Sequence, residues 1–304
     1  MTVALVLGAG GVTGGAFHAG VLAALVEVTG WDPRTADLVI GTSAGSATAA
    51  ALRAGLSAPD MAARARGETL SDEGRALLES AGVPTGPAPV PTGARIRLGR
   101  PAAPEILLGA LRRPWRTRPT ALIAGLAPAG AVPTDTIVDG IKALHPRGWP
   151  AAPTWVCAVR LRDGALVVFG RDDAPAVPIG KAVAASCAIP GYFTPVEIDG
   201  ERYADGGAHS LTNVGEAIQA EPDLVLVSSP MSRYGAGRAQ VAVEAQALRR
   251  RGTEVVALRP TPEVERAMGV NAMDPTRRAA VVRAAHESTR RHLETIRDRL
   301  TVLG

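Results

Sequence analysis

Two apolar runs near the start of the chain are each broken by glycines and followed by a longer apolar segment, and this rhythm organises the reading. Residues 3–7 are continuously apolar, as in a strand covered on both faces. The run breaks at Gly8-Ala9-Gly10-Gly11-Val12-Thr13-Gly14-Gly15, and the spacing predicts a helix from about Ala16 to Val28. Residues 36–40 repeat the pattern, give way to Gly41-Thr42-Ser43-Ala44-Gly45, and lead into a helix of small residues ending near Ala54. Strand and helix in alternation predict an α/β fold with a mainly parallel sheet.

Between Leu56 and Pro153 the periodicity blurs. A proline- and glycine-rich stretch over 82–104 carries no long apolar period, while 105–111, 120–126 and 135–144 have helical character. Residues 56–153 are therefore expected to form a lid or cap inserted in the domain. Residues 154–161 and 165–169 predict a hairpin about Asp163-Gly164, and 179–188 a helix stopped by Pro190. A second hairpin is predicted about Asp199-Gly200, its later arm running into Asp205-Gly206-Gly207. Strands are expected over 223–229 and 253–258 with a helix near 239–251 between them, and 275–301 reads as a C-terminal amphipathic helix.

Composition narrows the function classes. At 304 residues, 46% apolar and 20% charged, the chain has the balance of a globular protein, read here as one domain over 1–304. Ten aromatic residues leave little from which to build stacking platforms for single-stranded nucleic acid. The net charge of +4 comes from 31 arginines and two lysines, Lys142 and Lys181, spread along the chain. With no dense basic run or DNA-binding motif, this reads as the arginine habit of a GC-rich genome, and no nucleic-acid partner is expected. Cys157 and Cys187 are too few for a disulfide framework and lack the spacing of a zinc site, so no metal is expected. A cytoplasmic location follows as an expectation, with no signal peptide and no membrane-spanning stretch of ~18–20 residues.

Chemistry enters at the two glycine turns. Gly41-Thr42-Ser43-Ala44-Gly45 is a G-x-S-x-G sequence directly after a strand and before a helix, the context of a nucleophile elbow. There Ser43 would sit on a sharp turn whose neighbours, Gly41 and Gly45, must lack bulk. The alternative is a turn whose serine merely caps the next helix. The first glycine loop could aim backbone N–H groups at an oxyanion, helped by the helix dipole behind it. A dinucleotide site fits poorly, because G-x-G-x-x-G counted from Gly8 ends on Thr13 and the second strand ends on Gly41 where an acid would hold the ribose. A P-loop fails for want of Gly-Lys-Ser/Thr. Asp205, ending a strand and followed by Gly206 and Gly207, could take the serine proton if a dry pocket raised its pKa; alone, the motif is equally a turn signal.

Gly-Gly-x-x-Gly, then G-x-S-x-G, then Asp-Gly-Gly, in that order, resemble the patatin-like phospholipases. Residues 184–191, Ala-Ala-Ser-Cys-Ala-Ile-Pro-Gly, are similar to that family's Ala-Ser-x-Ala-x-Pro segment. The resemblance runs from Val3 to about Val227. It implies a three-layer α/β/α fold and a Ser–Asp dyad, with Ser43 attacking an acyl ester, Asp205 as base, Gly10 and Gly11 N–H groups holding the oxyanion, and Gly14 as a loop glycine. It also implies a lipid or other acyl-ester substrate and no metal or organic cofactor. The chain departs from the family at the loop's basic position, filled by Thr13, or by Gly14 if the match is counted back from His18.

The histidines do not offer a conventional triad: His209 follows Asp205 by only four residues, His286 and His292 fall on the terminal helix, and His18 lies behind the glycine loop. Arg112, Arg113, Trp115 and Arg116 form a basic patch with an aromatic anchor inside the expected lid. They read either as an exposed loop or as a peripheral contact with anionic lipid headgroups. Three readings of function are open at this point: a serine lipid acyl hydrolase, an acyltransferase or thioesterase using the same dyad, and a non-catalytic nucleotide-binding α/β protein.

Overall fold

The computed structural model describes residues 1–90, 126–128 and 130–303. Its centre is an eight-stranded mixed, mostly parallel sheet: β1 Val3–Leu7, β2 Leu38–Thr42, β3 Thr154–Arg160, β4 Leu166–Phe169, β5 Val196–Ile198, β6 Glu201–Asp205, β7 Leu224–Ser228 and β8 Glu254–Leu258. The order is β5-β6-β3-β2-β1-β7-β8, with β4 against β3. β3, β2, β1, β7 and β8 run parallel, while β4 and β6 pair antiparallel with β3, and β5 antiparallel with β6.

Alternate side chains of each parallel strand enter different layers, as the two-residue period of a strand requires. Val3, Leu5 and Leu7 pack with one set of helices: α1 Gly11–Thr29, α2 Ala44–Arg53, α3 Ala58–Arg66, α4 Asp72–Ser80, and, from the end of the chain, Pro262–Met268 and Arg278–Thr295. Ala4 and Val6 face the opposite layer, which includes the helix Gly235–Arg249. A third apolar cluster joins β3, β4 and β6 to helices Asp135–Leu144 and Ile179–Ser186. In chain order the later helices are α5 Asp135–Leu144, α6 Ile179–Ser186, α7 Gly235–Arg249, α8 Pro262–Met268 and α9 Arg278–Thr295. The three-layer α/β/α architecture is therefore as expected.

The structure corrects several local readings. Helix α1 begins at Gly11, five residues earlier than the pattern suggests, so Gly14 lies in its first turns and not in a loop. Burial outweighs the low helix propensity of those glycines, since α1 lies against α2, α3 and α9. β2 runs two residues later than read, through Thr42, and so delivers Ser43 directly at its end. Residues 56–80, expected as part of the lid, form α3 and α4. Ser57 and Ser71 cap them by accepting from the N–H groups of Asp60 and Gly74, and Leu56, Met61 and Leu78 join the core beside α1.

The membrane expectation also needs correction. Residues 3–26 contain no Asp, Glu, Lys or Arg, and α1 is long and apolar enough to cross a membrane by length and composition. In the fold it is a core helix, with Phe17, Val21, Leu22 and Leu25 fully enclosed. The expected helices over 105–111 and most of 120–126 lie outside the described residues.

Candidate active site

Ser43 sits where β2 turns into α2, with φ 55° and ψ −124°, a backbone conformation that L-residues rarely adopt. The glycines around it are required by close approach. A Cβ on Gly45 would stand 2.0 Å from the Leu7 carbonyl oxygen, and one on Gly41 2.4 Å from the Ser46 Cα. Both polar backbone groups of Ser43 are held: its N–H donates to Ser186 Oγ at 2.9 Å, and its carbonyl accepts from Ser46 Oγ at 2.7 Å and from Cys187 Sγ at 3.3 Å. The side chain is 3% exposed.

Asp205 ends β6, 5% exposed, and its carboxylate accepts a hydrogen bond from the Gly207 N–H at 2.7 Å, as the chain enters the turn Gly206–Ala208. Burial pushes the carboxyl up to about 6, against the downward pull of the nearby Ser43 side chain and the Gly207 N–H. A carboxylate so placed is a competent proton acceptor for Ser43 near neutral pH. The segment after α6 links the two residues: Ser186 holds Ser43, and the Ala188 carbonyl accepts the Asp205 N–H at 2.9 Å.

Asn213 joins the elbow to the acid turn. Its Nδ2 donates to Thr42 Oγ1 at 3.0 Å, to the Ser210 carbonyl at 2.9 Å and to the Gly206 carbonyl at 3.3 Å, from a residue with φ 51°. Sequence reading did not single it out, since an isolated asparagine after an irregular segment carries no periodic signal. Ser186 was quoted only as part of a motif, with no role.

The glycine loop lies over the carboxyl ends of β1 and β7. Gly8 and Ala9 donate their N–H groups to the Ser228 and Leu211 carbonyls, and Gly10 caps α1, accepting at its carbonyl from the Gly14 N–H at 2.8 Å. Among the described residues the N–H groups of Gly10 and Gly11 make no hydrogen bond outside the helix, and they stand at the positive end of α1. His18 secures the loop from behind. Burial lowers its ring to about 4, so it is neutral, with Nε2–H donating to the Gly8 carbonyl at 2.8 Å and Nδ1 accepting from Ser228 Oγ at 2.7 Å. Thr13, in the position where the resemblance puts a cation, has a buried Oγ1 without a partner among the described residues.

A cavity of about 310 Å³ lies beside Ser43 and the start of α1. Ser43 and Gly11 share its wall with Val12, Ala16, Ala47 and Ile189. The chain crosses from β1 out to β2 and β3 and returns on the other side of β1 as β7, so the cavity opens at the carboxyl ends of strands beside a topological switch point. His209 hydrogen-bonds Asn213 Oδ1 through Nδ1, and His286 pairs with Glu27 at 2.8 Å on the far side of α1. Among the described residues no group of three His, Cys, Asp or Glu side chains could hold a metal. Arg112, Arg113, Trp115 and Arg116 lie outside the described residues.

A serine on a strained strand-to-helix turn, with a buried carboxylate near it and a mostly apolar cavity beside it, is an arrangement of α/β proteins suited to acyl transfer. The patatin-like phospholipase family model matches residues 5–218, and the chain belongs to that family. Membership supports lipid acyl hydrolase activity in general and a lipid acyl ester as substrate. Among solved structures, VipD from Legionella pneumophila is 16% identical, with a TM-score of 0.44 over 97% of this chain and 67% of that one. No curated protein matches the chain.

Proposed function

We propose that the protein hydrolyses acyl esters of lipids through an acyl-enzyme on Ser43, with Asp205 as the base. The observation that carries this reading is the strained Ser43 at the wall of a mostly apolar cavity, with its side chain near enough to the buried Asp205 carboxylate to counter the rise in pKa that burial causes there. Asp205 accepts the Ser43 hydroxyl proton as Oγ attacks the acyl carbonyl carbon. The oxyanion settles against the Gly10 and Gly11 N–H groups at the head of α1, donors that need no reorganisation as charge develops. When the tetrahedral intermediate collapses, the lysolipid or alcohol leaves with the proton from Asp205. Water then repeats the sequence against the acyl-enzyme, with Asp205 again taking and returning a proton. The acyl chain lies along the small residues of α1 and α2.

The test is mass spectrometry of the protein after exposure to a mixed lipid extract and, separately, to a fluorophosphonate. An acyl adduct and a phosphonyl adduct on Ser43, both absent in Ser43→Ala, are expected, with ester turnover in the variant reduced by at least ~10³-fold. Failure of folded protein to take either label overturns the proposal in favour of a non-catalytic α/β protein.

A further inference from the structure

The cavity beside Ser43 is mostly apolar. Among the described residues its wall carries two charged side chains, Arg64 from α3 and Arg278 at the start of α9, and no carboxylate. The two guanidiniums reach the same short stretch of chain. Arg64 Nε and Nη2 donate to the Gly86 and Pro84 carbonyls at 3.0 and 2.8 Å, and Arg278 Nη2 donates to the Ala88 carbonyl at 2.6 Å. Some arginines of the fold sit in carboxylate pairs, as Arg160 does with Asp163 and Arg290 with Glu287, and others, such as Arg53, only hold backbone carbonyls and a hydroxyl. Neither Arg64 nor Arg278 has a carboxylate partner among the described residues. A guanidinium offers five N–H donors, and among the described residues two of those of Arg64 and one of those of Arg278 are taken.

Two like charges held together against an apolar wall cost free energy unless an anion joins them. Both guanidiniums feel that cost: burial, and for Arg64 also the charge of Arg278, lower their pKa values. Gly20 of α1 packs on Val282 of α9 and Glu27 pairs with His286, so the two helices run side by side and Arg278, one turn before Val282, lies about one turn from Gly20 toward Gly11, on the same cavity wall as Ser43. In a glycerophospholipid the phosphodiester is separated from the nearer acyl ester by only a few bonds of glycerol.

We propose that Arg64 and Arg278 form an anion subsite that holds the phosphodiester of a glycerophospholipid while its ester meets Ser43. This rests on the acyl-hydrolase reading above. The planar fork of each guanidinium suits two oxygens of one phosphate, and together the pair makes the enzyme select phosphate-bearing esters over uncharged ones.

The experiment compares kcat/KM for dioctanoyl phosphatidylglycerol and for p-nitrophenyl octanoate in the full chain, in Arg64→Gln, in Arg278→Gln and in the double variant. Each single substitution is expected to lower the ratio of phospholipid to uncharged-ester turnover about tenfold, through KM, and the double variant further. Arg64→Lys, which keeps the charge and loses the fork, should retain part of that ratio. Equal losses on both substrates would make the arginines mere clips for residues 84–88 and overturn the proposal. A second measurement is independent of turnover: glycerophosphate should raise the melting temperature of the unmodified protein and not of the double variant. No rise in the unmodified protein also overturns the subsite. If the protein hydrolyses neither ester yet glycerophosphate stabilises it through both arginines, the hydrolase reading fails and the anion subsite stands.

Discussion

The turn at Ser43 is built mostly by residues next to it in the chain, with Ser186 and Cys187 closing on it from a distance, whereas Asp205 is brought in mainly by residues far from it. The elbow is a local construction: β2 delivers the serine, Gly41 and Gly45 make room, and Ser46 returns a hydrogen bond to the Ser43 carbonyl from three residues away. The acid arm has no such independence. β6 reaches the site because it pairs with the far half of β3, the Ala188 carbonyl holds the Asp205 N–H, and Asn213 ties the following turn to Thr42. The nucleophile's turn is thus set largely by local geometry and the base largely by tertiary packing. The two should fail differently when perturbed.

The largest effect is expected at the base. Asp205→Asn should lower ester turnover by about 10²–10⁴-fold, the range for a positioned proton acceptor. It should also stabilise the fold. The folded carboxyl titrates at about 6, above the ~3.9 of an unfolded aspartate, so the folded state binds the proton more tightly. The contribution of this group to stability is fully present below about pH 4 and lost as pH rises through about 6. At pH 8 the ionised, buried Asp205 therefore costs on the order of 2–3 kcal/mol, which asparagine removes. Turnover by the unmodified protein runs the other way and should climb through a single ionisation near pH 6. Denaturant melts of both proteins at pH 8 and a pH–rate profile check these outcomes; a variant no more stable than its parent would break the assignment of the raised pKa to burial.

At the elbow, Gly45→Ala places a methyl against the Leu7 carbonyl, which is backbone and cannot swing aside. A loss of about 3 kcal/mol, the upper part of the range for overpacking, is expected, with slower fluorophosphonate labelling of Ser43. Chemical denaturation and labelling rates on one preparation would show whether strain and reactivity move together. A smaller effect separates the two arms. Asn213→Gly keeps access to φ 51° but deletes the hydrogen bonds to Thr42, Ser210 and Gly206, at about 1–3 kcal/mol, while Asn213→Ala adds about 1 kcal/mol for the left-handed backbone. If Asn213→Gly matched the unmodified protein in stability and turnover, the link between elbow and acid turn would carry no weight.

The parallel part of the fold was legible because buried strands announce themselves as unbroken apolar runs, and β1, β2, β7 and β8 lie within two residues of their expected places. Both hairpins were readable from Asp-Gly turns. The start of α1 was misread because glycine is a poor helix former in isolation, and contacts with α9 decide the matter: Gly20 lies so close to Val282 that a Cβ would stand 2.5 Å from its carbonyl oxygen. α3 and α4 were hidden because their nine-residue spans are short for a visible period, although Ser57 and Ser71 carry the cap signal.

For the site, the sequence by itself marked the nucleophile's setting, since a strand, a serine and two glycines within five residues favour a tight strand-to-helix turn. It also fixed the order of the three motifs, and with it the family resemblance that the match over residues 5–218 bears out. What only the tertiary structure decided is what surrounds them: the burial that raises Asp205 to about 6, the Ser186 hydroxyl that takes the Ser43 N–H, the staple at Asn213, and the two arginines on one cavity wall. Those depend on distances between residues tens to hundreds of positions apart, and solvation and charge act through space, which a linear pattern does not record.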